Sequence, residues 1–353
     1  MPIFYLTSRI IQNKFHKKVI LTDILDKVIS TGQENDYYRP REAVMSSMGV
    51  CSLLESIGNT PMVELGRIRP KGGARILAKL EGHNPAGSVK DRPALWMIQQ
   101  AEKKGLLSHG KIILEATSGN TGIGLAMVGA CKGYRVKLTL PECVSMERRQ
   151  ILMAYGAELV LTPAQERTDG AIRAAQRIME ENPDHYFMPD QFTNSDNWLS
   201  HYETTGPEIL AQTKGQITAF VAGMGTTGTL MGVGRRLKEY DQRIQIVGAE
   251  PVQGHAIQGL KNMSESIVPR IYEKNRLDRI VTVEDRPAYS MTGRLTLEEG
   301  LFVGMSSGAA VCAAIEVAQD LSPADVVVVL LPDRGDRYLS TSLFRSICAE
   351  CPP

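Results

Sequence analysis

Short apolar runs that alternate with stretches of helical length constrain the fold of this chain more than any other feature. The sequence predicts strands at 62–65, 75–80, 111–115, 135–140, 159–161, 218–222, 245–250 and 325–331. Helices are predicted at 93–105, 123–132, 147–155, 170–181, 230–239, 290–299 and 309–319. Strands that alternate with helices of about 10–15 residues form βαβ units and a mostly parallel sheet. The predicted fold class is therefore α/β.

Composition excludes several functional classes. The 353 residues, 43% of them hydrophobic and 22% charged, suit one large or two moderate globular domains. A formal net charge of +1 does not support binding to nucleic acid or a membrane surface. The longest strongly apolar run, Val326 to Leu331, has the length of a buried strand and not of a membrane span. Six scattered cysteines indicate reduced thiols in a cytoplasmic protein without a metal site.

Residues 1–45 differ in composition from the rest of the chain. Basic residues cluster around Lys17 and precede a polar stretch at 32–36, and none of the motifs described below falls in this segment. An organellar presequence, a loosely attached extension and an upstream start of translation all fit this pattern. We therefore treat residues 1–45 as an N-terminal extension of unknown role.

Lys90 is the first candidate for chemistry. A turn-forming run from Asn84 to Ser88 delivers this lysine to the start of a predicted helix. The helix N-terminus carries partial positive charge, which disfavours an ammonium group and is expected to lower the pKa of Lys90. A lysine with a lowered pKa can form a Schiff base. The alternative at this stage is an ordinary solvated lysine in a first helical turn.

The loop from Gly223 to Thr229 is predicted to cradle a phosphate. It follows an apolar strand and opens a helix, so its backbone N–H groups and threonine hydroxyls can surround an anion. The same loop fits the G-x-G-x-x-G fingerprint, with Glu250 ending a strand further on. A nicotinamide (NAD) dehydrogenase therefore remains a remote alternative.

A second polar turn, 117–121, reads Thr-Ser-Gly-Asn-Thr and is suited to a substrate carboxylate. A cluster of N-capping residues is the alternative interpretation. Ser306 and Ser307 precede another predicted helix and are ambiguous by themselves. Ligands of parallel sheets bind at the carboxyl ends of the strands, so the loops 117–122, 223–229 and 304–308 are predicted to converge on one cleft.

Taken together, these motifs resemble those of cysteine synthases, which are pyridoxal-phosphate (PLP) enzymes of the tryptophan-synthase-β type, fold type II. The resemblance rests on the runs 84–92, 117–122, 225–229 and 306–308 and covers roughly residues 53–344. The runs 145–149, 204–208 and 333–341 are most similar to the B-type enzymes, the O-acetylserine sulfhydrylases B.

The resemblance implies a domain organisation and a set of site residues. A larger cofactor-binding domain would comprise 46–86 and 192–345, a smaller mobile substrate domain 87–191, and a tail 346–353. Lys90 would hold the cofactor as a Schiff base and move the substrate α-proton. The further cofactor-binding residues would be Asn120 at the ring hydroxyl, Gly225, Thr226, Thr227, Gly228 and Thr229 at the phosphate, and Ser306 at the ring nitrogen. The substrate-binding residues would be Thr117, Ser118, Thr121, Gln191 and Lys261.

The implied activity is that of a transferase that forms L-cysteine, or S-sulfocysteine, from O-acetyl-L-serine and sulfide or thiosulfate. The implied protein is a cytoplasmic homodimer with small-molecule substrates and no nucleic-acid or membrane partner. Lys261 stands where an arginine is expected in B-type enzymes, which leaves the sulfur donor open. The alternatives within the fold are an O-phosphoserine-using cysteine synthase, a cystathionine β-synthase-like enzyme and a serine/threonine dehydratase.

Overall fold

The structure is a computed structural model, and it describes residues 52–117, 119–341 and 343–344. The predicted N-terminal extension, the predicted tail and the candidate residue Ser118 lie outside the described residues. The described part of the chain forms two sheets, each covered by helices.

The larger sheet consists of β1 (Met62–Glu64), β2 (Arg75–Leu80), β7 (Ala219–Gly223), β8 (Gln245–Pro251), β9 (Arg279–Val283) and β10 (Val326–Leu331). Its strand order is β1-β2-β10-β7-β8-β9. Only β1 runs antiparallel to its neighbour, and the other pairs are parallel. Every residue of β10 is buried. Burial on both faces explains why this strand is an unbroken run of valine and leucine.

The smaller sheet consists of β3 (Ile112–Ala116), β4 (Val136–Pro141), β5 (Glu158–Thr162) and β6 (Tyr186–Phe187). Its order is β5-β4-β3-β6, and all its pairs are parallel. The strands between 112 and 187 thus form one sheet, and the strands on either side of that segment form the other. The proposed domain boundaries near residues 87 and 191 stay a prediction.

The helices that cover the two sheets are α1 (Asp91–Lys103), α2 (Asn120–Lys132), α3 (Met146–Ala154), α4 (Arg167–Glu181), α5 (Ser195–Ser200), α6 (Gly206–Thr213), α7 (Gly228–Tyr240), α8 (Asp285–Glu299) and α9 (Met305–Gln319). A π-helix, His201–Thr205, joins α5 to α6. Within the described ranges, no helix has both the length and the apolar character needed to cross a membrane.

Several helices begin earlier in the chain than the sequence predicted. Helix α1 begins at Asp91 and not at Pro93, so Lys90 is its N-cap residue. Helix α2 begins at Asn120 and not at Ile123, so Asn120 and Thr121 belong to its first turn. In both cases polar residues with a predicted site role lie at the helix N-terminus, which an apolar pattern does not reveal.

A buried ionic network anchors the first turn of α1. Arg92 donates through Nε to Glu81 Oε2 at 2.7 Å and through Nη1 to Glu208 Oε1 at 2.6 Å. Lys79, on β2, donates to Glu208 Oε2 at 2.7 Å. Burial alone would raise the pKa of Glu208, but the hydrogen bonds from Arg92 and Lys79 lower it. Because buried charges are costly without partners, this network fixes Arg92, and with it the neighbouring Lys90, against β2 and α6.

Candidate active site

The loops 117–122, 223–229 and 304–308 contribute residues to one cleft, which confirms the predicted convergence. Their residues line it together with Lys90, and the cleft encloses an empty volume of about 930 Å³, part of it open to solvent. The predicted site residues on its wall are Lys90, Asn120, Thr121, Gln191, Gly225, Thr226, Thr227, Thr229, Lys261 and Ser306. Thr117 and Gly228 are not among the lining residues.

Lys90 has the lowered pKa that the sequence predicted, but from a different cause. Burial lowers the pKa of its amine from 10.5 to about 8, and the charge of Asp333 opposes this shift. The prediction from sequence rested on the helix dipole and could not include burial in the assembled cleft. A pKa of about 8 leaves an appreciable fraction of free amine near neutral pH, which is the nucleophilic and basic form.

The glycine-threonine loop has the geometry of an anion site. Helix α7 begins at Gly228, so its N-terminus, with its unpaired N–H groups and partial positive charge, lies at the end of this loop. A Cβ atom on Gly225 would lie 2.6 Å from the carbonyl oxygen of Gly259, so a side chain does not fit there. Thr227 has a positive φ of 66°, and its buried hydroxyl has no hydrogen-bond partner among the described residues. A phosphate would provide that partner.

Asn197 and His201 support this loop from behind, and sequence reasoning missed both. Asn197 donates through Nδ2 to the Gln191 carbonyl at 2.7 Å and to Thr226 Oγ1 at 3.3 Å. His201 Nε2 lies 3.4 Å from Thr229 Oγ1, and burial lowers the pKa of this histidine well below its usual value. The four-residue spacing of the two polar residues was the available signal. It was overlooked because no helix was predicted over 195–213.

The loop assigned to the substrate carboxylate divides into two parts. Thr117 Oγ1 accepts from the backbone N–H groups of Gly119 at 2.9 Å and Gly122 at 3.3 Å, so this hydroxyl is engaged in holding the turn. Thr121 donates to Gln191 Oε1 at 2.6 Å, and Gln191 donates to the Ala116 carbonyl at 2.9 Å. Within the loop, Asn120 and Thr121 line the cleft, and Gln191 joins them there from a separate segment of the chain.

Asn120 is held by residues of the segment after β10. Its Nδ2 donates to Asp333 Oδ2 at 2.6 Å, and its Oδ1 accepts from Arg337 Nη1 at 2.6 Å. Tyr338 also donates to Asp333 Oδ2, at 2.6 Å. Arg148, on α3, donates to the Tyr338 hydroxyl and lies 3.6 Å from Asp333. The sequence analysis used the 333–341 run only as a family signature and gave these residues no role.

Lys261 and Ser306 complete the predicted set. Lys261 Nζ lies 3.2 Å from Asp169 Oδ1 and 5.4 Å from the centre of the Phe192 ring. Ser306 lies in the first turn of α9 and is 4% exposed. The neighbouring Ser307 has a buried hydroxyl without a partner in the described ranges. Both side chains at this end of α9 are therefore buried, neutral hydroxyl groups.

Comparison with known proteins identifies the class. Residues 53–333 match the family model of pyridoxal-phosphate dependent enzymes. With its parallel sheets and the cleft around Lys90, the chain is a PLP-dependent enzyme of fold type II. This finding sets aside the NAD dehydrogenase, because the matched region contains the loop 223–228 on which that alternative depended.

Individual relatives identify the family. The chain is 47% identical over 293 residues to cysteine synthase B of Salmonella typhimurium, covering 83% of this chain and 96% of the relative. It is 47% identical over 300 residues to a cysteine synthase of Aquifex aeolicus, covering 83% and 92%. The protein belongs to the cysteine synthase family.

Solved structures agree with this assignment. An O-ureido-L-serine synthase superposes with a TM-score of 0.79 at 41% identity, covering 84% of this chain and 95% of that one. A cysteine synthase from Entamoeba histolytica superposes with a TM-score of 0.78 at 38% identity, covering 86% and 94%. The two structures share the fold but differ in the activity that they are named for, so the fold leaves the nucleophile open.

Proposed function

We propose that this enzyme replaces the acetoxy group of O-acetyl-L-serine with sulfide and so forms L-cysteine. One observation carries the proposal: the amine of Lys90, with its lowered pKa, shares a cleft with an anion-binding loop and with Thr121 and Gln191. The relatives named cysteine synthase support the same reaction.

The residues of the cleft fit the cofactor. Gly225, Thr226, Thr227, Gly228 and Thr229 would bind the phosphate, and the unpartnered Thr227 hydroxyl is the observation that favours this assignment. Asn120 would donate to the ring hydroxyl, since one Nδ2 hydrogen remains after its bond to Asp333. When bound, pyridoxal phosphate supplies an electron-accepting ring that stabilises negative charge on the substrate α-carbon.

The chain's own residues would carry the remaining steps. Lys90 would hold the cofactor, be released by the substrate and then accept the α-proton on Nζ. Thr121 and Gln191 would bind and orient the substrate carboxylate, together with Ser118 as the family resemblance implies, and Thr117 would hold the turn that presents them. Ser306 is neutral and cannot give the ring nitrogen a full proton, as an aspartate would, so electron withdrawal is moderate and loss of the β-leaving group is favoured.

Thiosulfate is a second candidate donor, and Lys261 is the observation that favours it. Lys261 lines the cleft that contains Lys90, and its ammonium group lies 5.4 Å from the ring centre of Phe192, another lining residue. Thiosulfate is a dianion and gains more from a nearby cation than the singly charged hydrosulfide. The product would then be S-sulfocysteine. O-phosphoserine as the activated serine remains an alternative, with phosphate as the leaving group.

The test combines a spectrum with an assay. The purified enzyme should show a visible absorbance band that changes when O-acetyl-L-serine is added, and cysteine should accumulate when sulfide follows. Lys90→Ala should reduce turnover by on the order of 10³-fold or more, as expected for loss of a positioned base. Lys103→Ala, which removes an exposed lysine from the same helix, is the matched control. A spectrum that changes with O-phosphoserine but not with O-acetylserine would overturn the proposed substrate.

We also propose that the enzyme is a cytoplasmic homodimer. The scattered cysteines support the cytoplasmic location, and the family resemblance supports the homodimer. Sedimentation equilibrium of the full chain at several concentrations tests the oligomeric state, and a monomer at all of them would overturn the dimer.

A further inference from the structure

We infer that Asp169 is a specificity-determining residue, because it competes with an anionic sulfur donor for the ammonium group of Lys261. The inference rests on the proposed function and deepens it by naming what sets the preference between sulfide and thiosulfate. Neither the sequence patterns nor the family resemblance assigned a role to Asp169.

The ion pair joins elements of the two sheets. Asp169 lies in the first turn of α4, which packs on the smaller sheet, and Lys261 lies in the segment after β8 of the larger sheet. Lys261 Nζ and Asp169 Oδ1 are 3.2 Å apart, with side-chain exposures of 10% and 25%. At this level of burial, water screens the pair less than it screens a surface ion pair.

Both partners are fixed independently of one another. The backbone N–H of Lys261 donates to the Met224 carbonyl at 2.7 Å, beside the glycine-threonine loop. Asp169 Oδ2 accepts from the backbone N–H of Ile267 at 3.2 Å. Substitution of Asp169 therefore leaves the bond from Lys261 N–H to Met224 in place, and substitution of Lys261 leaves the bond from Ile267 N–H to Asp169 in place.

The pair also borders the reacting space. Lys261, Phe192 and Thr168, the residue before Asp169, line the same cleft as Lys90 and Ser306. An ammonium group has three donors, so Lys261 can keep one bond to Asp169 and still present hydrogens to the cleft. The carboxylate nevertheless cancels most of the positive charge that an incoming dianion would meet. Asp169 thus disfavours the dianion thiosulfate more strongly than the singly charged hydrosulfide.

The reaction of thiosulfate with O-acetyl-L-serine needs no added oxidant or reductant. A bond forms between the terminal sulfur of thiosulfate and the β-carbon, and the bond from the β-carbon to the ester oxygen breaks. Acetate leaves with the electron pair of that bond, and the α-proton that Lys90 removes is returned at the end. S-Sulfocysteine and acetate are the products.

The experiment compares the two donors in charge-neutralising variants of the holoenzyme. Asp169→Asn should lower the KM for thiosulfate about 3- to 10-fold and the KM for sulfide by a smaller factor, while leaving kcat unchanged. Lys261→Gln should raise the KM for thiosulfate, and in the Lys261→Gln background Asp169→Asn should have no further effect. Asp169→Ser is a second variant, for use if the asparagine variant does not fold.

Glu166→Gln is the matched control. Glu166 lies just before α4 and pairs with Arg173, so its substitution removes the same charge from the same end of the helix without touching Lys261. An unchanged or raised KM for thiosulfate in Asp169→Asn would overturn the inference, as would an equal fall in the control. Sulfide turnover by the wild-type enzyme is measured alongside. If the wild type makes no cysteine from sulfide, the proposed function fails; if it does, a failed thiosulfate result counts only against the role of Asp169.

Discussion

Arg337 donates through Nη1 to Asn120 Oδ1 over 2.6 Å, although 217 positions separate the two residues in the chain. The opposite end of the same amide donates to Asp333. The two bonds determine which amide atom faces which partner, because a flipped Asn120 would place its NH₂ group against a guanidinium. Asn120 therefore enters the cleft with its donor already oriented.

This arrangement predicts that Arg337→Lys weakens cofactor binding. Lysine keeps the charge but cannot reproduce the guanidinium geometry. Loss of the bond to Asn120, about 1–1.5 kcal/mol, corresponds to roughly a tenfold higher Kd for pyridoxal phosphate, and loss of the second guanidinium bond, to the Ala86 carbonyl, adds to this effect. Titration of the apoprotein measures this Kd. Arg334→Lys, in the same segment but in an exposed pair with Asp336, is the control; equal affinities in both variants would remove the proposed role of Arg337.

Gly225→Ala is expected to impair the phosphate loop. The added Cβ atom would lie 2.6 Å from the Gly259 carbonyl oxygen, so the loop must move away from its anion-binding geometry. We expect the Kd for pyridoxal phosphate to rise about 5- to 150-fold, by loss of on the order of 1–3 kcal/mol.

Gly293→Ala provides the contrast, since nothing lies within 4 Å of a Cβ atom at that helical position. Alanine should stabilise α8 by about 0.5–1 kcal/mol there and leave cofactor affinity unchanged. Calorimetric unfolding and cofactor titration of both variants would decide the matter, and a Gly225→Ala enzyme with wild-type affinity would contradict the assigned phosphate loop.

The pH dependence of cofactor loading should report the pKa of Lys90. Burial lowers that pKa to about 8, so the free amine predominates above pH 8 and becomes scarce below it. The rate of reconstitution from apoprotein and pyridoxal phosphate should therefore fall about tenfold per pH unit below that value. Stopped-flow absorbance measures the rate. A midpoint near 10.5, the ordinary value for lysine, would show that burial does not tune this amine.

Arg92→Met should destabilise the protein. It leaves Glu81, which is 0% exposed, without its cationic partner. Breaking a buried ion pair costs about 3–5 kcal/mol. Arg294→Ala breaks an exposed helical pair with Glu298 and should cost less than about 0.5 kcal/mol. Urea unfolding compares the two variants, and similar midpoints would mean that the Arg92 network does not support the fold.

The sequence predicted the alternation of strands and helices well because apolar runs and punctuating glycines act locally. Strand β2 has the predicted bounds, Arg75–Leu80, and helix α9 ends at the predicted Gln319. Strands β6 and β9 and helices α5 and α6 were not predicted. Strand β6 is only Tyr186–Phe187, and helices α5 and α6 are short and connected through a π-helix. Such elements depend on tertiary packing more than on local pattern.

The candidate site was predictable where one loop carries several chemical signals, as at 117–122 and 225–229. The supporting residues were not, because their roles arise from contacts that no local pattern contains. Asp169 meets Lys261 across 92 positions, and Arg337 meets Asn120 across 217. The cause of the Lys90 pKa shift was missed for the same reason, since burial is a property of the assembled cleft.

The place of β10 in the larger sheet has a consequence for biosynthesis. This strand lies between β2 and β7 and pairs along the whole of β2. A ribosome releases β2 long before β10, whereas the strands of the smaller sheet emerge close together, between 112 and 187. The smaller sheet can thus form on the nascent chain while β2 still presents an unpaired edge that is open to aggregation. Leu330 and Pro332, which line the cleft, are synthesised after the other lining residues. Lys90 is therefore fully enclosed only near the end of translation.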